Sequence, residues 1–326
     1  MNGEIMIEDT LPLLASEESF QDHLTGVGNR KYFEHELEQG LPAAIRFGAN
    51  LTVLLLDLDR FKAVNDSLGH GAGDTLLKLV TARMAASLRP GHHLYRLGGD
   101  EFGIICGPEH NAHDLASRLV AVVQKTYLVD GCPVNIGVSI GLATAPMDGT
   151  NRADVMRRAD LALYHAKASG RSSFVDFEPA MEVRAQQKRA MELDLRKAIA
   201  LRQFELHYRP QIDVQTRTLH GLAAVLHWRH PVHGLLPFST FGPLAEEIGL
   251  IPAVGEWMLK SVCREAARWP DTVTVAFGVS PLQFETMRFV EAVTKSLVDA
   301  KISGQQLEVE VTELSLIHIS EPTRPY

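Results

Sequence analysis

The chain has no stretch approaching the roughly 18 uninterrupted apolar residues that cross a membrane, and its first residues lack the basic-then-apolar pattern of a secretory leader. Both absences set the expectation of a soluble, cytoplasmic protein with no membrane segment. Cysteine is scarce. Cys106, Cys132 and Cys263 stand far apart without metal or CxxC spacing, which fits a reducing compartment. Positive charge is also in short supply: 32 Lys and Arg face 40 Asp and Glu, a formal net charge of −8, so no basic patch for nucleic acid emerges. A GxxxxGK[ST] phosphate loop is missing, which argues against a P-loop enzyme, and so is any evident Ser/His/Asp or Cys/His arrangement. What remains is 326 residues, 45% apolar, enough for about two domains with filled cores.

Within that composition the most informative residues are Gly98, Gly99, Asp100, Glu101 and Phe102, set between the apolar stretch Leu94 to Leu97 and the run Gly103 to Cys106. Two glycines between strand-like runs predict a hairpin tip that presents the adjacent carboxylates at a sheet edge. Alone, this reads as a charged, solvated turn. A second acidic pair, Asp57 and Asp59, closes the apolar run Leu51 to Leu56 and raises the prospect of a metal site. A hard divalent cation takes one or two carboxylates plus substrate phosphates, and Asp57 with Asp100 would supply the carboxylates. Asp59 reads as a solvated strand end.

Downstream, Phe61, Lys62, Asn65, Asp66, Gly69, His70, Gly73 and Asp74 lead into a helix-like stretch, Thr75 to Leu88. Two readings stand side by side for Asn65 and Asp74. An Asp carboxylate accepts both N–H donors of the guanine Watson–Crick edge while an Asn amide bonds its other edge groups, or the two form a turn and a helix N-cap.

The stretch from residue 22 to about 177 resembles the GGDEF family, the diguanylate cyclases that condense two GTP into cyclic di-GMP. The likeness runs through Asp22, Leu24, Thr25, Gly26, Asn29 and Arg30, then Asp57 to Lys62, Asn65 to Asp74, the GGDEF itself, and Ser139, Ile140 and Gly141. It closes on Ala159, Asp160, Ala162, Leu163, Tyr164, Ala166, Lys167, Gly170 and Arg171. By position the resemblance implies that Asp57, Asp100 and the backbone carbonyl of Leu58 hold Mg²⁺, or Mn²⁺ in its place, and that Asn65 and Asp74 read guanine. Lys167 and Arg171 would hold phosphates, His70 would lie at the substrate pocket and Lys62 near the triphosphate, with Glu101 beside the metal as ligand or proton acceptor. The implied fold is α/β, a sheet flanked by helices like that of nucleotide cyclases and polymerase palms. Because each such site holds one GTP, turnover would need a homodimer. The family often carries a product-inhibition RxxD just upstream of the GGDEF. Arg89, Pro90, Gly91 and His92 stand there, so weak or absent feedback binding is expected.

The second half resembles the EAL phosphodiesterases, TIM-like barrels that hydrolyse cyclic di-GMP with metal-activated water. Tyr208 with Pro210, Gly221 to Pro231, Pro243 to Ile251 and Leu307 to Glu313 carry the likeness. The departures are chemical. Ala223, Ala224 and Val225 replace Glu-Ala-Leu, Gly278 stands where a ligand Asn is usual and Arg209 where a Gln is usual, leaving Glu310. Two-metal activation of water loses its anchors, so phosphodiesterase activity is expected to be absent. Residues 193 to 313 are also only about half of a typical ~250-residue barrel.

The expected organisation is an acidic segment over 1–21, too short for a sensor domain, a GGDEF domain over 22–177 and a linker helix over 178–201 with Met191, Leu195, Ala198 and Ile199 on one face. A partial EAL domain over 202–313 follows, and then a tail, 314–326, that resembles translated sequencing adapter. His227, His230 and His233 look like a zinc cluster, yet His230 and Pro231 also match the EAL pattern itself. The leading expectation is a diguanylate cyclase. The alternative is a GTP-binding regulator or interaction module with little turnover.

Overall fold

The computed structural model describes residues 20–89, 91–280 and 288–311. Residues 1–19 of the acidic segment, Pro90 of the RxxD-like quartet, the end of the EAL-like LEVEVTE run and the whole 314–326 tail lie outside the described residues. The chain divides into two compact units between Gln186 and Gln187.

The first unit is a six-stranded sheet. Its strands are β1 (Gly28–Asn29), β2 (Leu51–Asp59), β3 (Leu94–Gly98), β4 (Glu101–Cys106), β7 (Gly137–Ala145) and β8 (Phe174–Asp176), in the order β1-β3-β4-β2-β7-β8. Strands β5 (Tyr127–Val129) and β6 (Cys132–Val134) form a separate small hairpin. Strand β2 is central and apolar at nearly every position because helices cover both faces of the sheet. Leu54, Leu56 and Leu58 face one core with α2 (Phe61–Leu68), α3 (His70–Ala86) and α4 (Ala112–Val123), among them Leu76, Val80 and Leu119. Leu51, Val53 and Leu55 face the opposite core, filled by Phe33 and Leu37 of α1 (Arg30–Phe47) and by Val155, Ala159 and Leu163 of α5 (Arg152–Ala168). Side chains alternate across a strand, so Asp57 and Asp59 fall on the α5 side.

Helix α5 lies unusually close to the sheet. A Cβ on Gly141 would come within 2.1 Å of the Leu163 amide nitrogen and 2.2 Å of the Ala159 carbonyl oxygen. Only glycine permits that approach, and it brings the C-terminal turn of α5 against the end of β2. The helix stops in a Schellman turn: the Arg171 N–H donates to the Ala166 carbonyl at 3.1 Å across Gly170, φ 115°.

The helix expected from Thr75 starts earlier, at His70, so Asp74 lies inside α3. Its N-cap is Gly69, φ 83°, and no side chain caps it.

In α6 (Pro179–Ala198), Met181 is buried in the first unit, while Leu195 and Ala198 belong to the second unit's core with Met191 and Ile199 against them. The second unit has β9 (Phe204–Ile212) antiparallel to β10 (Leu219–His230), and β11 (Gly234–Pro237) antiparallel to the end of β10. Strand β12 (Thr274–Val279) then runs parallel to β10, and β13 (Leu307–Val311) parallel to β12. Helices α7 (Phe238–Glu247), α8 (Ile251–Ala266) and α9 (Arg288–Ala300) make the crossovers that parallel strands require. This is the opening of a β/α barrel, incomplete over the described residues, packed around Trp228, Phe241, Val262 and Phe277.

Candidate active site

The tip between β3 and β4 is a tight turn at Gly99 and Asp100, with Gly99 in the left-handed region at φ 55°. Strand β4 then pairs antiparallel with β2 so that Glu101 stands directly opposite Asp57, and the Leu58 N–H donates to the Asp100 carbonyl at 3.2 Å. The two acidic strand ends therefore meet, as the sequence pattern anticipates. The Leu58 side chain is buried in the core, so only its backbone faces the site.

Burial pushes the Asp57 carboxyl above its ordinary value, the Lys167 ammonium opposes that shift, and the nearby Asp100 and Glu101 carboxylates reinforce it. Lys167 Nζ lies 2.6 Å from Asp57 Oδ2. The site is thus a cluster of like charges with Lys167 drawn onto Asp57. Among the described residues no three His, Cys, Asp or Glu side chains are grouped to hold an ion by themselves. Two carboxylates, a backbone carbonyl and further oxygens from a phosphate ligand form a hard, all-oxygen donor set, which fits Mg²⁺ better than a softer ion.

Arg96 holds the tip in place, and the sequence reading passed over it. Its Nε and Nη2 donate to the Gly99 carbonyl at 3.0 and 2.8 Å, and its Nη1 to Asp22 Oδ1 at 3.0 Å. Burial alone would raise the Asp22 carboxyl, but hydrogen bonds from Thr25 and Arg96 outweigh it and keep the group below its ordinary value. Arg30 adds a bond from Nε to the Leu97 carbonyl at 2.8 Å and stands 3.6 Å from Glu101. The DxLTGxxNR stretch therefore braces the acidic hairpin. The DxxT spacing, an Asx-turn signature, is the local signal that could have pointed to Asp22 as part of this brace.

Asn65 projects from α2 toward α3. Its Oδ1 is buried without a hydrogen-bond partner, and a Cβ on Gly73 would fall 1.8 Å from that oxygen. Gly73 is the clearance that allows Asn65 its position, one residue before Asp74. A buried acceptor without a partner costs about 1–3 kcal/mol, a cost the fold carries at Asn65 Oδ1. Asp74, Lys62 and His70 are exposed. Arg171 is not beside Asn65. It lines a pocket of about 680 Å³ on the other face of α2 together with Arg60, Ala63, Val64 and Ser67.

Asp59 corrects the sequence reading. It is buried, accepting bonds from Ser139 Oγ at 2.6 Å and from Ser172 N and Oγ at 2.9 Å each. Its work is structural: it ties the end of β2 to β7 and to the turn after α5. At the RxxD-like quartet, His92 is buried, its Nε2 3.6 Å from Cys106 Sγ and its ring 4.0 Å from that of His110. Burial and the neighbouring His110 lower its pKa, favouring the neutral ring.

In the second unit the His triplet does not converge on an ion. His230 is buried and its Nδ1 accepts the N–H groups of Val232 and His233 at 3.1 Å each. Its Nε2 faces Asp194 Oδ2 at 3.3 Å. Arg209, Gly278 and Glu310 line one pocket of about 330 Å³ whose other walls are largely apolar. Glu310 accepts from Gln211 Nε2 at 3.0 Å, and Ala223 sits opposite Arg209 and Ala276.

Comparison with known proteins agrees with this division. Residues 19–173 match the family described as diguanylate cyclase, GGDEF domain, and residues 192–324 match the EAL domain. Over 301 residues, 90% of this chain and 44% of the relative, the sequence is 39% identical to the bifunctional diguanylate cyclase/cyclic di-GMP phosphodiesterase MucR of Pseudomonas aeruginosa. It is 36% identical over 310 residues, 93% of this chain and 40% of the relative, to the cyclic di-GMP phosphodiesterase NbdA of the same organism. A solved GGDEF-only form of TpbB (YfiN) from that organism is 36% identical, covering 51% of this chain and 99% of its own, with a TM-score of 0.49. The chain spans about two-fifths of the length of these two curated relatives.

Proposed function

We propose, for a chain that belongs to the GGDEF and EAL proteins of cyclic di-GMP signalling, that its GGDEF domain is a diguanylate cyclase and its EAL portion has no phosphodiesterase activity. One observation carries the first part: Asp57 and the Asp100–Glu101 tip meet across β2 and β4, while an unpartnered Asn65 oxygen waits beside Gly73.

The substrate is GTP. Asn65 Oδ1 accepts from the guanine edge and Asp74 accepts its paired N–H donors. Lys167 leaves Asp57 for the triphosphate once the carboxylate has a stronger cation, with Lys62 and Arg171 adding positive charge and His70 lining the substrate side. Mg²⁺, held by Asp57, Asp100 and the Leu58 carbonyl, would neutralise phosphate charge and orient the reacting groups. The 3′-oxygen of one GTP forms a bond to the α-phosphorus of another. The bond from that phosphorus to the β-phosphate oxygen breaks and pyrophosphate leaves. Glu101 takes the hydroxyl proton. Two protomers, each holding one GTP, face each other for this step. In the EAL portion Ala223 and Gly278 offer no donor to a metal ion, and Glu310 is engaged by Gln211.

Incubation of the chain with GTP and Mg²⁺, followed by chromatography for cyclic di-GMP, tests the reading. Product is expected, rising more steeply than linearly with protein concentration, and the Asp100→Ala variant should make none. No product from the native chain at high concentration would leave a GTP-binding regulator instead.

A further inference from the structure

The cavity of about 330 Å³ in the second unit is bordered by residues of β9, β10, β12 and β13 and of helix α8. Small side chains leave it open. Ala224 gives the lining a methyl group and Gly278 none, and a Cβ on Gly278 would meet no atom within 4 Å. Val225 and Leu226 of β10, with Ile251, Val254 and Met258 of α8, make most of the wall apolar. Water in such a space finds few hydrogen-bond partners, whereas an apolar guest gains about fourfold in affinity for each methylene it buries.

Two charged residues share the lining. Arg209 has no ion-pair partner among the described residues, whereas Glu310 accepts a hydrogen bond from Gln211 Nε2 at 3.0 Å. A free guanidinium is a planar fork that matches a carboxylate. Glu310 opposes further negative charge on a guest, because like charges repel at short range. The chemistry therefore favours one anionic group on an apolar body over a phosphate of higher charge. The volume falls at the low end of the about 300–1,000 Å³ of ligand pockets, which suits a small molecule.

We infer that this cavity binds a small apolar monocarboxylate of the medium-chain fatty-acid type, its carboxylate on Arg209 and its chain against Val254 and Met258. Gln, the usual residue at the Arg209 position, lacks the charge to hold it. The inference concerns the second unit and stands apart from the cyclase reading of the first.

Calorimetric titration of the full chain with hexanoate, octanoate and decanoate, each below its micelle-forming concentration, tests this beside decyltrimethylammonium, which keeps the long chain and reverses the charge. Saturable binding is expected, strengthening about fourfold per methylene along the acid series until the space is filled, with none for the cation. Arg209 is exposed, so Arg209→Gln leaves the core intact, and it is expected to weaken decanoate binding about tenfold or more. Gly278→Leu puts a side chain into open space and is expected to block decanoate while the chain still unfolds cooperatively. Equal decanoate affinity in the native and Arg209→Gln chains, no saturable decanoate binding, or equal binding of the cation overturns the inference. Cyclic di-GMP binding that depends on Arg209, in a chain that ignores decanoate, also overturns it and assigns the cavity to the dinucleotide.

Discussion

The two units differ in where their acidic residues gather. In the first, like charge is gathered at one place: Asp57 faces Asp100 and Glu101, with Lys167 on Asp57 and Arg30 3.6 Å from Glu101, and Asn65 Oδ1 has no partner. In the second, the residues at the family's metal positions are a methyl group and a bare backbone, and the surviving carboxylate, Glu310, is bonded by a neighbouring amide. Glu205 with Arg229 and Glu308 with His220 are likewise paired across strands. Unbalanced polarity costs folding free energy, so a fold retains it where a ligand supplies the missing partner. Satisfied polarity needs no ligand. The contrast is between like charges gathered at one strand end in the first unit and charges paired across strands in the second, where Tyr208 Oη and Gln211 Oε1 are nonetheless buried without a hydrogen-bond partner.

The sharpest way to break that contrast is to remove its centre. Asp57→Asn is expected to lower cyclic di-GMP formation by at least about 10²–10³-fold, the usual loss when one preorganised charge is deleted, measured as initial rate at saturating GTP. The same variant should melt at a higher temperature than the native chain at pH 7. The fold raises this carboxyl above the ordinary 3.8, chiefly by burial. The associated stability is therefore present at low pH and is lost as pH rises from the ordinary value through the raised one. A neutral amide escapes that loss, and an unchanged or lower melting temperature would show that the Lys167 pair outweighs burial.

A smaller effect is expected at the purine end. Gly73→Ala places a methyl where the Asn65 oxygen sits, so GTP affinity should fall about 10–100-fold, the cost of roughly one buried hydrogen bond. Titration with GTP and ATP would show both weakening toward the same value. Retained preference for GTP would mean that Asp74 alone reads the base.

The two smallest effects are expected at positions whose family residue is missing. Cyclic di-GMP hydrolysis should be at background in the native chain and remain there in Ala223→Glu, because Gly278 and Arg209 still deny the other ligands. Measurable hydrolysis by the native chain would dissolve the contrast between the units. Titration with cyclic di-GMP should likewise show no Arg89-dependent binding at micromolar concentrations, since His92 is turned inward toward Cys106 rather than out toward a guanine edge.

Much of this was legible in one dimension because strands and short motifs are local. The apolar run ending in Asp57, the glycine pair before Asp100 and the alternation of Phe204, Leu206 and Tyr208 each mark an element within a few residues. Boundaries were less legible. The start of α3 at His70 escaped notice because Gly69, Gly71 and Gly73 read as loop, whereas packing of Ala72, Leu76 and Val80 against β2 extends the helix through them. Asp59 was misread for a related reason: nothing near it in sequence announces that Ser139 and Ser172 will enclose it.

The sequence by itself determined which chemistry is available: acidic groups at two strand ends, an amide and a carboxylate nine residues apart, and cations at the end of a helix, with Glu310 left among the EAL positions. The tertiary structure decided which of those groups face a ligand and which serve the fold. Asp22 braces Arg96 across 74 residues and Asp59 holds Ser172 across 113. Such contacts depend on how strands and helices close in space, and no local pattern of side chains encodes that closure.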